Sequence, residues 1–209
     1  MKVFKIVDLL KPLRINGIIF IAIKILKPKE NNMDSINKNQ EEENHEDLQG
    51  TKAAEKIKEL AAGNTCFFCT GIVTGKPVTV RPMAVQKVDN QGNLWFLSAS
   101  DSHKNQDIQR DSKVQLLFQG SSHSDFLSIY GNAAISTDKE LIKELWEPIA
   151  KAWFTDGVDD PRITVIKVSA DDGYYWDNKH GNAIAMVKIA ASALLGKTND
   201  DSIEGNLNT

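Results

Sequence analysis

The sequence predicts a mainly β protein with peripheral helices (α+β class), arranged as an antiparallel barrel with added helices. Three observations carry this. From residue 51 onward, six or seven short runs rich in β-branched and aromatic residues are bounded by Gly, Asn, Asp and Pro. Most of these runs are separated by connections of hairpin length. Only a few segments show helical periodicity, and they sit beside the strand runs rather than alternating with each. A chain of 209 residues, 41% hydrophobic and 25% charged, is large enough to bury such a core.

Taken in order, "TKAAEKIKELAAG" has apolar residues at Ala54, Ile57, Leu60 and Ala61 with Gly63 as a stop, which spells a short amphipathic helix. Strands are expected at 65–73, 78–88 and 93–99, the first two joined by "TGKP" and the next pair by "DNQGN". A short helix follows over 103–110, then the strands "SKVQLLFQG" and "DFLSIYGNAAIS". Thr137 and Glu140 are spaced as a capping box opening one long helix, "DKELIKELWEPIAKAW", on which Trp146 and Trp153 read as core or interface residues. The turn-rich "FTDGVDDP" leads to two further strands, "RITVIKVSA" and "GYYWDN", and a final helix, "NAIAMVKIAASALLG", ends the domain. The folded domain is therefore expected over 51–196, with a polar tail at 197–209.

The front of the chain is different. Residues 1–30 carry seven Lys/Arg against Asp8 and Glu30 around the apolar "INGIIFIAIKIL", a basic apolar extension. Asn16, Gly17 and Lys24 break that run, so it does not read as a spanning helix, and lysines directly after the apolar core argue against a signal peptide. An interfacial basic helix touching a membrane is the alternative for this segment. Residues 31–50, acidic and nearly free of large apolar side chains, read as a disordered linker. The net charge of −3 gives no general basic field for nucleic acid. Cys66 and Cys69, the only cysteines, lie three apart in a strand pattern rather than at a helix start, so they read as buried strand residues in a reducing, cytoplasmic setting.

One junction stands out. In "LSASDSHKNQDI" a strand passes into a helix through Ser98, Ser100, Ser102, His103 and Lys104. The first turn of a helix leaves backbone N–H groups unpaired, and hydroxyls with an ammonium beside them suit an anion, above all a phosphate. The plain alternative is a serine or Asp101 capping the helix beside a solvated loop.

Through "TVRPMAV", "LWFLSASDSHKNQDI", "SIYGNAAISTDKELIKELW", "WFTDGVDDPRITVIKVS" and "YYWDN", in matching order over 51–196, the chain resembles the general stress protein branch of the pyridoxamine 5′-phosphate oxidase-like superfamily. The resemblance implies an FMN-binding split β-barrel. It implies that Arg81 contacts FMN and that Pro82, Met83 and Ala84 bring backbone polar groups to the isoalloxazine edge. Proline cannot donate from its nitrogen, which makes Met83 and Val85 the expected donors. Leu97, Ser98, Ser102, His103 and Lys104 would serve the phosphate, Lys104 as the charge and Ser98 as a hydroxyl. It also implies a homodimer with the flavin between subunits, reached from the partner by Trp176. From the residue alone, Trp176 would be a core tryptophan.

The pattern departs from pyridoxamine phosphate oxidases proper. Gln86 stands where those carry a lysine, His103 where they carry a second basic residue, and no Arg-x-His follows Trp176. Without groups to pair with a substrate phosphate, oxidation of pyridoxamine phosphate is not expected. No Gly-x-Ser-x-Gly, Walker loop or His-Glu-x-x-His appears, so redox chemistry would belong to the cofactor. The expectation is a flavin-dependent oxidoreductase acting on a small molecule. The alternatives are a flavin-binding or sequestering stress protein without turnover, and the same barrel holding haem or a deazaflavin.

Overall fold

The computed structural model describes residues 12–15, 18–21, 44–73, 77–121, 124–195 and 201–209. The chain forms two compact units, Met1–Ile36 and Asn37–Thr209. In the first, β1 (Pro12–Ile15) and β2 (Ile18–Ile21) pair antiparallel, Ile15 facing Ile18. The described part of the basic extension is thus strand, not an interfacial helix. The β-branched run Ile18–Ile21 and the break at Asn16-Gly17 are hairpin features.

The second unit is built on a mostly antiparallel sheet, β5-β4-β8-β9-β10-β11-β3 in spatial order, with β6 and β7 joined through β10. Its strands are β3 (Leu48–Gln49), β4 (Thr65–Thr70), β5 (Thr79–Ala84), β6 (Lys87–Val88), β7 (Leu94–Ala99), β8 (Lys113–Gln119), β9 (Phe126–Ser136), β10 (Ile163–Asn178) and β11 (Ser202–Asn208). The inner faces and helix α1 (Thr51–Ala61) enclose one core that includes Ile57, Phe68, Phe96, Leu116, Ile129 and Val168. Phe68 meets Phe96 edge-to-face at 5.2 Å between ring centroids. Cys66 and Cys69 are both buried, unoxidised strand residues, as read from the sequence. Burial pushes the Cys66 thiol up to about 12, which leaves it inert at neutral pH. No helix among the described residues is long and apolar enough to cross a membrane.

Strand β10 organises the sheet. Over its 16 residues it pairs with β9 along one edge through Val165–Trp176; on the other edge β7 takes Ile163–Val168 and β11 takes Gly173–Asn178. The sequence reads two strands here. The structure makes them one, with a register shift between Ala170 and Asp172 that lets the long strand bend at Asp171. The expected polar tail also contains structure, because β11 supplies Ile203 and Leu207 to the core side of β10. The last residues of the expected linker run along β11, with β3 pairing parallel to it and Asn44 buried. Residues 31–43 and 196–200 lie outside the described residues.

A second, smaller core lies outside the sheet. Helix α3 (Lys139–Leu145) and a 3-10 turn at Pro148–Ala152 bury Ile142, Leu145, Ala150 and Phe154 against Ile163 and Val165. The single long helix expected here is broken at Pro148, whose ring holds Glu147 extended (φ −116°, ψ 147°). The cap is Asp138 rather than Thr137: its carboxylate accepts from the N–H groups of Glu140 at 2.9 Å and Leu141 at 3.4 Å. Helix α4 (Asn182–Leu195) follows β10.

Candidate functional site

The barrel wall has a gap that follows from hydrogen-bond parity. β5 and β6 are consecutive, and the Gln86 N–H donates to Trp95 in β7 at 2.8 Å. No ladder joins β5 itself to β7 among the described residues. The sheet is therefore split between β5 and the end of β7, where helix α2 (His103–Arg110) begins. Val85 N–H donates to Asn64 at 3.0 Å, which fixes the alternation along β5. Met83, two residues away and opposite Cys66, must spend its N–H in the β4 ladder, and so must Arg81 opposite Phe68. The two donors expected from the sequence, Met83 and Val85, are thus both committed to the fold. Ala84 is the residue whose N–H faces the gap, with Pro82 beside it offering none.

Across the gap, α2 presents Lys104. Its side chain is 9% exposed and, among the described residues, no acceptor lies within hydrogen-bonding or salt-bridge distance. Desolvation, with the like charge of Arg81 as the smaller cause, lowers the ammonium to about 8. Arg81 is exposed and, among the described residues, donates to the carbonyl of Val80 at 2.8 Å. The like charge of Arg81 thus acts on Lys104, and neither cation has a carboxylate partner among the described residues. Asp107, the nearest acid on α2 by sequence, is taken by the Thr70 hydroxyl at 2.9 Å.

The serines divide. Ser102 caps α2, accepting from Asn105 N–H at 3.2 Å. Ser98 is 3% exposed and donates to Asn105 Oδ1 at 2.7 Å; Asn105 Nδ2 in turn donates to Thr164 Oγ1 at 2.9 Å, which donates to the Ser98 carbonyl at 2.8 Å. This buried network ties β7, α2 and β10 together. Ser98 thus sets the position of α2, and Asn105 and Thr164 are the members that sequence reading missed. A signal existed: Lys104, Asn105 and Ile108 share the buried face of α2, so Asn105 is a polar residue at a core position. Leu97 turns its side chain to the α3 cluster. His103 is exposed at the first turn of α2.

Trp176 is not with the others. Ser98 faces Thr164 on β10, and Trp176 lies twelve residues further along the same strand, about 40 Å of extended chain away. It sits on the outer face between Phe126 and Glu204. Strand pairing continues that face through Gln119 and Leu117 on β8, Phe67 on β4 and Pro82 on β5. Phe67 is 56% exposed and Leu117 42%.

An open, mostly antiparallel sheet curled into a barrel with flanking helices defines a split-barrel class, and comparison with known proteins gives its family. The model for the family described as pyridoxamine 5′-phosphate oxidase like matches residues 52–200, and the chain belongs to that family. Protein bli-3 of Neurospora crassa is 29% identical over 126 residues, which cover 56% of this chain and 60% of that protein's length. Among solved structures, one described as a general stress protein 26 of Jannaschia sp. CCS1 superposes with a TM-score of 0.63 at 22% identity, over 75% of this chain and 96% of that one. General stress protein 26 of Bacillus anthracis str. Sterne gives 0.51 at 23%, over 58% and 92%. The split-barrel fold expected from the sequence is the fold these proteins share.

Proposed function

We propose that the protein binds FMN in the gap between β5 and α2 and works as a flavin-dependent oxidoreductase. The observation that carries this reading is the pair Lys104 and Arg81. A largely buried lysine with no counter-charge among the described residues is a costly arrangement, and a bound phosphate would offset it. In this reading Lys104 and Arg81 hold the phosphate, the first turn of α2 behind Ser102 adds backbone N–H groups, and Ala84 N–H meets the ring edge. A bound flavin would supply two-electron transfer. The chain's own residues bind and orient it, and Ser98, Asn105 and Thr164 act behind them by fixing α2.

The same reading takes a second copy of the chain as partner. Its support is the row of exposed Phe67, Leu117 and Phe126 with Trp176 on the outer sheet face, an apolar strip a monomer would leave in water. Trp176 would then complete the partner's site, since about 40 Å of strand separates it from its own.

An absorption spectrum taken after reconstitution with FMN and desalting tests the cofactor. About one flavin retained per subunit is expected, and Lys104→Ala should weaken affinity by about 1.5–3 kcal/mol, the scale of a charged hydrogen bond. Colourless protein, or unchanged affinity in the variant, would overturn the assignment. Bleaching of bound flavin by a nicotinamide and its return with an acceptor is the outcome expected of the enzyme; a flavin inert to both would make the protein a carrier.

A further inference from the structure

Helix α4 is built the wrong way round for a helix facing water. Its only charged residue between Asn182 and Leu195 is Lys188, and that ammonium is turned toward the body of the protein, where Asp201 accepts from it at 2.6 Å. The Asp201 carboxylate is 2% exposed and also binds the His180 ring at 2.6 Å and the His180 N–H at 3.2 Å. One buried acid thus fixes both the entry to α4 and its rotation. Ala185 is buried on that same inward side, one turn before Lys188. The side chains turned outward are apolar: Ile184 is 48% exposed, Met186 54% and Val187 70%. A helix on the surface of a soluble monomer shows the reverse pattern, with its apolar stripe inward and its charge outward.

The outer strip assigned above to a second copy is too small by itself. Scaled to about 150–250 Å² for a whole aromatic side chain, and less for leucine, the exposed parts of Phe67, Leu117 and Phe126 amount to roughly 300 Å². A stable dimer buries about 800 Å² on each partner, of which roughly 65%, about 500 Å², is apolar. Ile184, Met186 and Val187 offer about as much exposed apolar area as the strip, and the two surfaces together reach that figure. They are consecutive along the chain: Trp176 closes the strip, β10 ends at Asn178 and α4 starts at Asn182. A lipid surface fits less well, because the one basic residue of α4 is held by Asp201, and outside residues 1–30 the acids outnumber Lys and Arg. We propose that α4 docks on a second copy of this chain, extending the interface that carries Trp176. This rests on the second-copy reading above and assigns it a further surface. By two-fold symmetry each chain gives its α4 and receives the partner's, so every side chain on the helix counts twice.

Sedimentation velocity of the full chain over a dilution series tests this. The wild type is expected to be a dimer. Val187→Asp and Ile184→Asp, each placing two charges in an apolar contact, should raise its dissociation constant at least about a hundredfold, while Val187→Ile should leave it unchanged. Both positions face water in a single chain, so circular dichroism should show the same fold in every variant. Dimers of wild-type strength from both Asp variants would overturn the proposal. If Leu117→Asp dissociates the chain in that same series, the strip keeps its role and only α4 loses its own. A wild type that stays monomeric at every concentration would overturn both. A monomer that pellets with phosphatidylcholine vesicles, and stops doing so as Val187→Asp, would assign α4 to lipid and overturn the proposal in favour of a membrane. FMN retained by a dissociated Val187→Asp monomer would separate the two readings: the α4 contact stands and the shared flavin site does not.

Discussion

At the scale of single residues, Lys104 is where the fold carries an unpaired, largely desolvated charge. Its folded-state value, about 8, lies below the ordinary 10.5, so between those pH values the unfolded chain holds more protons than the folded one. Stability therefore rises with pH across that window, and the penalty is fully present below pH 8. For a residue this buried the penalty is on the order of 1–3 kcal/mol. Lys104→Met, which keeps the stem and removes the charge, should make the flavin-free protein more stable at pH 7, with the gap closing as pH approaches 10.5. Denaturant midpoints across pH measure this; a variant less stable than the wild type at pH 7 would mean the ammonium is well solvated. Anion affinity should move the other way, falling above pH 8 as the free site loses its proton. Ser98 teaches a complementary lesson. The sequence shows a hydroxyl beside a lysine, but which of them faces the ligand depends on Asn105 and Thr164, the latter 59 residues from Asn105 in the chain.

At the scale of elements, what the sequence reveals depends on whether the signal is local. The 51–61 helix, strands β4, β7, β8 and β9 and the Ser102-capped α2 announce themselves through periodicity, turns and caps, and are present. The single strand expected over 78–88 is instead broken at Val85 and Gln86 into β5, which pairs with β4, and β6, which pairs with β7. Strand β11 does not announce itself. "SIEGNLN" carries two apolar residues among polar ones and becomes a strand because the edge of β10 at Gly173–Asn178 needs hydrogen-bond partners. The segment 44–49 is held to β11 in turn, with Glu46 N–H donating to the Glu204 carbonyl at 2.8 Å. Gly205 makes this crossing fit: a Cβ there would stand 1.9 Å from the carbonyl oxygen of Glu46. Gly205→Ala should therefore cost more than about 2 kcal/mol and raise hydrogen exchange in both 44–49 and 202–208. Protection lost in β11 alone would show that the two segments are not coupled. The cap offers a milder case, where Asp138→Ala should cost about 1 kcal/mol by thermal melt and Thr137→Ala much less.

At the scale of the whole molecule, the length of β10 decides how many chains a site needs. Trp176 and the Lys104 pocket lie at opposite reaches of one strand, so a site using both takes Lys104 from one protomer and Trp176 from the other. Mixing two defective variants puts this to a direct test. Lys104→Ala and Trp176→Ala, each weak in flavin binding alone, are denatured together and refolded at equal ratio. Random pairing makes about half of the dimers mixed. In a mixed dimer one site receives an intact Lys104 and an intact Trp176, while the other receives neither. About one site in four should then bind flavin with wild-type affinity, countable by titration against the parent variants refolded separately. No recovery would mean that each chain completes its own site or that Trp176 serves only packing, and the outer strip of Phe67, Leu117 and Phe126 would need a different partner. If mixing restores the site, Leu117→Asp on that strip should convert the sedimentation profile to monomer and abolish flavin retention together, because the same contact brings Trp176 into place.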